Sequence, residues 1–308
     1  MPLNTIIFLH DGRLRAGWRV FLGVAVAMSA NWLAAIIARL VTAGHSLLVF
    51  DLVYRPLAMA LLIGGFCLLL VLADGITENL LAAQGLGSQS AGGKRWWQDA
   101  LLGIAIGMGL IAAAVAVLAI SGHYSSHASF TPRAMLISGP VLAILVAAAM
   151  AEEVMFRGYP FQRLVEAIGV WPAVLALSAL FACVHWLNPH ASAWAMVNTV
   201  TVGVLLAIAY LRTRALWLPW GIHFGWNAAM GFIFGLPVSG LDFSVLVKGA
   251  ATGPQWLTGG SYGLEASALG TMVILLGFLP VLILIRRGEP LPPHGEGSFS
   301  DEAGAPVV

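Results

Sequence analysis

The residues best suited to chemistry lie together at Ala151-Glu152-Glu153-Val154-Met155-Phe156-Arg157, directly after a stretch, Ala134 to Met150, that contains no charged side chain. A charge near the middle of a bilayer costs on the order of several kcal/mol, so two carboxylates at the end of an apolar run need a reason. On a helix Glu153 and Arg157 are i and i+4 and share a face, where they can pair. Glu152 projects about 100° away, because a helix has ~3.6 residues per turn. The spacing therefore predicts a division of labour, with Glu153 held by Arg157 and Glu152 left free to move a proton. The same charges would also serve as a cap where a helix leaves the bilayer.

Two further polar elements stand in apolar surroundings. Phe181-Ala182-Cys183-Val184-His185 carries one imidazole, which could equally be a histidine satisfied by a backbone carbonyl or a headgroup. His223-Phe224-Gly225-Trp226-Asn227 puts an imidazole and an amide on one helical stripe, as i and i+4. Such a stripe is either glue between helices or the lining of a cavity. Gly221, Gly225 and Gly231 would admit close approach of another backbone or a substrate. Taken jointly, a carboxylate with a histidine can activate water, and a second histidine with an asparagine amide can donate to an oxyanion. Together these groups make a hydrolytic site without a covalent nucleophile. One mismatch stands: at ~1.5 Å per residue, Glu152 and His223 lie roughly 8 and 10 Å inside their spans, but His185 roughly 20 Å.

The elements that must position these groups are membrane helices. Of 308 residues, 59% are hydrophobic and 9% charged, and mean hydropathy is +0.89, against roughly 25% charged for soluble proteins. The fold class is an all-α polytopic membrane protein, a bundle of about eight transmembrane helices with an intramembrane polar cavity, each span near the ~20 residues that cross the hydrocarbon core. The spans run from about Trp18 to Val41, Leu52 to Ala73, Ala100 to Ile120, Met135 to Phe156, Val170 to Leu187, Ala193 to Leu211, Leu216 to Leu236 and Ala266 to Ile285. A net charge of +1 offers no field for nucleic acid. Cys67 and Cys183 sit in apolar runs and suggest neither a disulfide nor a soft-metal site. The start, Met1 to Arg19, shows no signal-peptide cleavage pattern. Arg13, Arg15, Arg19, Lys94, Arg95, Arg157, Arg163, Arg212, Arg214, Arg286 and Arg287 fall on one side; Arg39, Arg55, Arg133 and Lys248 fall on the other. This bias predicts that both termini are cytoplasmic, in a multi-pass inner (plasma) membrane protein. The Pro/Gly/Ser-rich tail 288–308 reads as disordered.

At these positions the chain resembles the CPBP family of intramembrane proteases, which comprises CAAX prenyl endopeptidases and bacterial relatives linked to bacteriocin processing and self-immunity. The family pattern of EExxxR, FxxxH and HxxxN stands here in order as Glu152-Glu153-Val-Met-Phe-Arg157, Phe181-Ala-Cys-Val-His185 and His223-Phe-Gly-Trp-Asn227, with Gly158 completing a typical Phe-Arg-Gly. The resemblance covers roughly Gly139 to Leu236. It implies a protease core over 138–236, preceded by three helices and their loops (1–137) and followed by a loop and an eighth helix (237–287). It further implies that Glu152 is the general base, that His185 holds or activates the water, that His223 and Asn227 form the oxyanion hole, and that Glu153 and Arg157 orient the site. The partners are then a peptide or membrane-protein substrate and the lipid bilayer, with the oligomeric state left open. The family points to a site with no cofactor. Glu and His would also suit zinc, although the chain has no HExxH. A non-catalytic scaffold of the self-immunity type is the other reading. A transporter would be expected to show an inverted repeat, and the sequence shows none.

Overall fold

The computed structural model describes residues 14–89 and 95–284. The expectations for Arg13, Lys94, Arg286, Arg287 and the tail 288–308 concern residues outside that range.

The chain is a helical membrane protein. Its principal helices are α1 (Ala16–Val41), α2 (Leu47–Asp74), α3 (Trp96–Ile120), α4 (Pro132–Arg157), α5 (Tyr159–Ile168), α6 (Val170–His185), α7 (Ala193–Thr213), α8 (Trp217–Asn227) and α9 (Ala268–Leu284). Among the described residues, five segments are long and apolar enough to cross a bilayer: α1, α2, α3, the 37-residue stretch Pro132–Ile168 and α7. Helix α6 and most of α9 are apolar but shorter. Helix α8 continues without a break into a π-helical turn, Ala228–Ile233. All eight expected apolar segments are helical over most of their length, but eight full crossings are not established. Helix α5 lies in the segment 158–169 that the expected spans left unassigned.

Local sequence sets the helix ends. Thr131 caps α4 by accepting from the Ala134 N–H, with Pro132 in the first turn. Ser192 caps α7 in the same way through Ala195. Helix α2 stops at Gly75, whose φ of +70° places it in the left-handed region that glycine enters freely.

Small residues decide how closely the helices pack, as expected where apolar lipid gives helices little hydrophobic drive to associate. Helix α1 buries a stripe of Gly23, Ala27, Ala30, Ala34 and Ala38. The tightest seam joins α3 to α8. A Cβ on Gly107 would come 2.6 Å from the Trp226 nitrogen, and one on Gly225 would come 2.9 Å from the Ile104 Cα. Gly103 and Gly221 face each other's backbones in the same way. The glycines of α8 thus serve helix packing, which fixes the face on which His223 and Asn227 project.

At one end of the bundle Arg19 bonds Asp74 at 2.8 Å and Glu166 at 3.0 Å, and Arg163 reaches Glu166 at 2.7 Å. This cluster ties together the start of α1, the end of α2 and α5. At the opposite end two short strands, β1 (Tyr124–Ala128) and β2 (Val247–Ala251), pair antiparallel with Tyr124 opposite Ala251. They join the α3–α4 connection to the long loop before α9.

Candidate active site

Glu152 and Glu153 are neighbours in sequence and opposites in environment. The Glu153 side chain is fully buried, whereas Glu152 is 23% exposed and lines a cavity of about 240 Å³. Glu153 Oε1 accepts from Arg157 Nη1 at 3.1 Å and from His223 Nδ1 at 2.8 Å. Arg157, itself buried, gives Nη2 to the Gly203 carbonyl of α7 at 3.2 Å. That carbonyl is within reach because α7 lies against Ser178 of α6 at Gly203, where a Cβ would meet the serine Oγ at 2.9 Å. The expected i,i+4 pair is present, and it extends into a three-helix network through α4, α7 and α8.

Helix α6 supplies the other imidazole from its last turn. His185 Nδ1 donates to the Phe181 carbonyl at 2.8 Å, which leaves the lone pair of a neutral ring on Nε2. That Nε2 faces Glu152 Oε2 at 4.0 Å, and His223 Nε2 faces the same oxygen at 3.7 Å. Glu152 Oε2 makes no hydrogen bond among the described residues. One carboxylate oxygen and two ring nitrogens therefore converge on the space that a water molecule would need, with the second nitrogen of each ring already engaged. Phe181 packs among these groups: its ring is tilted against that of His185, 4.3 Å between centroids, and its centroid lies 4.9 Å from the Arg157 guanidinium carbon. Asn227 lines the same cavity one turn beyond His223, at the point where α8 becomes the π turn. π-bulges inside helices are frequent at functional sites, since they re-aim the side chains on either side.

The order of the helices accounts for the depth mismatch. The fourth span ends at Arg157, beside the expected Phe156, and after a break at Gly158 the chain forms α5, whose Arg163 and Glu166 meet Arg19 and Asp74 at the end of the bundle. Helix α6 sets out from the far end of α5, and its last turn brings His185 Nε2 to 4.0 Å from Glu152 Oε2.

All six residues singled out in the sequence (Glu152, Glu153, Arg157, His185, His223 and Asn227) surround one cavity or its immediate wall. Two residues that sequence reasoning passed over also contribute. Gly203 supplies the carbonyl for Arg157, and a carbonyl carries no mark in sequence. Glu265 lines the cavity and is bonded by Trp226 Nε1 at 3.1 Å and Ser239 Oγ at 2.8 Å. It tethers the loop before α9 to the helix that carries His223 and Asn227. A lone carboxylate directly ahead of the last apolar span was a signal of the same kind as Glu152. Among the described residues no group of three or more His, Cys, Asp or Glu side chains is arranged to hold a metal ion.

Residues 133–229 match the family model described as Type II CAAX prenyl endopeptidase Rce1-like. The matched segment contains all six site residues and takes in less than a third of the 308-residue chain. The comparisons with curated proteins and with solved structures return no match.

Proposed function

From the premise that residues 133–229 are a CAAX-protease-type segment of the CPBP family, we propose that the chain is an intramembrane endopeptidase that hydrolyses peptide bonds with a water activated by Glu152 and His185. The observation that carries this reading is the convergence of two imidazole Nε2 atoms, at 3.7 and 4.0 Å, on the unbonded Oε2 of a cavity-facing Glu152.

A water between these atoms gives its proton to Glu152 while its oxygen attacks the scissile carbonyl carbon. Removal of that proton in the transition state is general-base catalysis, worth typically about 10²–10⁴-fold. Negative charge then develops on the carbonyl oxygen, toward which the Asn227 amide donates. His223 donates as well when its ring carries a proton on Nε2 in addition to the one that Nδ1 gives to Glu153. As the C–N bond breaks, Glu152 returns its proton to the departing amine. Glu153 and Arg157 take no proton in this scheme; they fix the His223 ring. The substrate is a peptide or a membrane-protein tail, and no cofactor is required. The protein resides in the inner membrane with both termini in the cytoplasm.

The test is cleavage of a diverse peptide pool by the purified, detergent-solubilised protein, read by mass spectrometry with and without chelator. Wild type should cut in the presence of chelator, and Glu152→Gln and His185→Ala should each lose at least about 100-fold in rate. Cleavage that chelator abolishes would put a metal at the site. A folded wild type that binds peptides and cuts none would favour the non-catalytic scaffold.

A further inference from the structure

The two groups assigned to the oxyanion are held in different ways. The ring of His223 is fixed by its hydrogen bond to Glu153. Among the described residues no hydrogen bond holds the side chain of Asn227. Its direction is therefore set by the backbone of α8, which changes from α to π geometry directly after it. Two contacts hold that backbone at the neighbouring Trp226. Gly107 of α3 lies against the Trp226 backbone nitrogen, where a Cβ would come within 2.6 Å. The buried indole gives its Nε1–H to Glu265 Oε1 at 3.1 Å.

Glu265 is itself a fixed post, outside the matched segment, in the connection before α9. Its main chain is tied to α7, because Asn198 Nδ2 donates to the carbonyls of Glu265 at 2.9 Å and of Ser267 at 3.1 Å. Its second carboxylate oxygen accepts from the N–H and the hydroxyl of Ser239. Ser239 stands at a φ of +48°, which residues other than glycine seldom adopt. Hydrogen bonds to an ionised acceptor are roughly twice as strong as neutral ones, which suits a carboxylate to this task better than an amide. Trp226, Asn227, Ser239 and Glu265 all line the cavity that Glu152 faces.

We propose that Glu265 is a positioning residue for the reaction: by holding the Trp226 indole at the junction of α and π geometry, it aims the Asn227 amide at the oxyanion. The proposal rests on the endopeptidase reading and extends its machinery beyond the matched segment.

The test uses an apolar hexapeptide and analogues in which each internal amide in turn is replaced by a phosphinate, a tetrahedral mimic of the oxyanion. Cleavage, binding and melting temperature are measured for wild type, Glu265→Ala, Trp226→Phe and Asn227→Ala, and for each of the first two variants combined with Asn227→Ala. Wild type should bind one phosphinate at least about 100-fold more tightly than the parent peptide, as transition-state mimics do. Glu265→Ala and Trp226→Phe should each lower kcat and that preference by at least about 10-fold, toward the roughly 10²–10³-fold cost of losing an oxyanion donor. Affinity for the parent should change far less, the pattern of a contact made only in the transition state. In the Asn227→Ala background neither substitution should cause a further loss, because groups acting through one another are not additive. Trp226→Phe leaves the carboxylate and its bonds to Ser239 in place, so it decides the matter if Glu265→Ala does not fold. Variants that melt earlier yet keep the kcat and phosphinate preference of wild type overturn the proposal and leave Glu265 a tether of the loop. Losses that persist in full without Asn227 overturn it as well. A wild type that binds the parent but neither cuts it nor prefers a phosphinate sinks the endopeptidase reading, and the proposal with it. A Glu265-dependent preference without cleavage keeps the positioning role and sinks the protease.

Discussion

Two adjacent carboxylates here differ in burial and in partners. Glu153 is fully buried, with Oε1 bonded by an arginine and a histidine, and Glu152 is partly exposed, lines the cavity and faces two imidazoles at 3.7 and 4.0 Å. Neutralising them should therefore have opposite consequences. Glu153→Gln strands the buried Arg157, and breaking a buried pair by removing one partner costs about 3–5 kcal/mol. The melting temperature of the detergent-solubilised variant should fall well below that of wild type. Glu152→Gln, which removes a partly exposed charge, should melt close to wild type while losing cleavage. A Glu152→Gln that unfolds more readily than Glu153→Gln would reverse the assignment. At this scale the sequence was highly legible, because the i,i+4 spacing of Glu153 and Arg157 follows from helix geometry alone. The bond from Arg157 to the Gly203 carbonyl was not legible, since every residue offers a carbonyl and only tertiary packing selects one.

The helices are placed by contacts that leave no room for a side chain. On α3, Gly107 lies against the backbone of α8, whereas Gly109 on the same helix has nothing within 4 Å. Gly107→Ala should cost on the order of 1–3 kcal/mol through overpacking and displace His223 and Asn227, seen as lost folded yield and lost cleavage. Gly109→Ala should be neutral or slightly stabilising. Equal tolerance at both positions would mean that the seam does not position the site. The glycines of α8 were visible in sequence, but whether they faced a backbone or a substrate depended on α3, which lies outside the matched segment. Helix α5 and the switch of α8 to π geometry after Asn227 were hidden for a different reason. Gly158 does break the helix and Pro160 stands in the first turn of α5, where proline is tolerated, so both residues fit a loop and a new helix alike; a π turn has no composition of its own.

For the molecule as a whole, the charge bias predicts which end faces the cytoplasm. Ser88 lies in the connection before α3, on the predicted inner side, and Ser126 lies in β1 at the other end; both are exposed. In a background lacking Cys67 and Cys183, a membrane-impermeant thiol reagent added to intact cells should label Ser126→Cys at once. Ser88→Cys should be labelled only after permeabilisation, and the reverse pattern would invert the topology. The helical class and the apolar spans were legible because a bilayer demands long uncharged helices. The strand pair was not, since β1 is mostly exposed and lacks the alternation that marks a half-buried strand.

The glycine seam between α3 and α8 has a mechanical corollary. Two backbones in such close contact cannot slide or part without losing their whole interface, so they behave as a fixed jaw, with His223 and Asn227 set in it. The opposite wall of the cavity comes from α1 and α2, which carry Asn31 and Tyr54. The jaw that holds the imidazole and the amide and the wall that faces them therefore belong to different pieces of the chain.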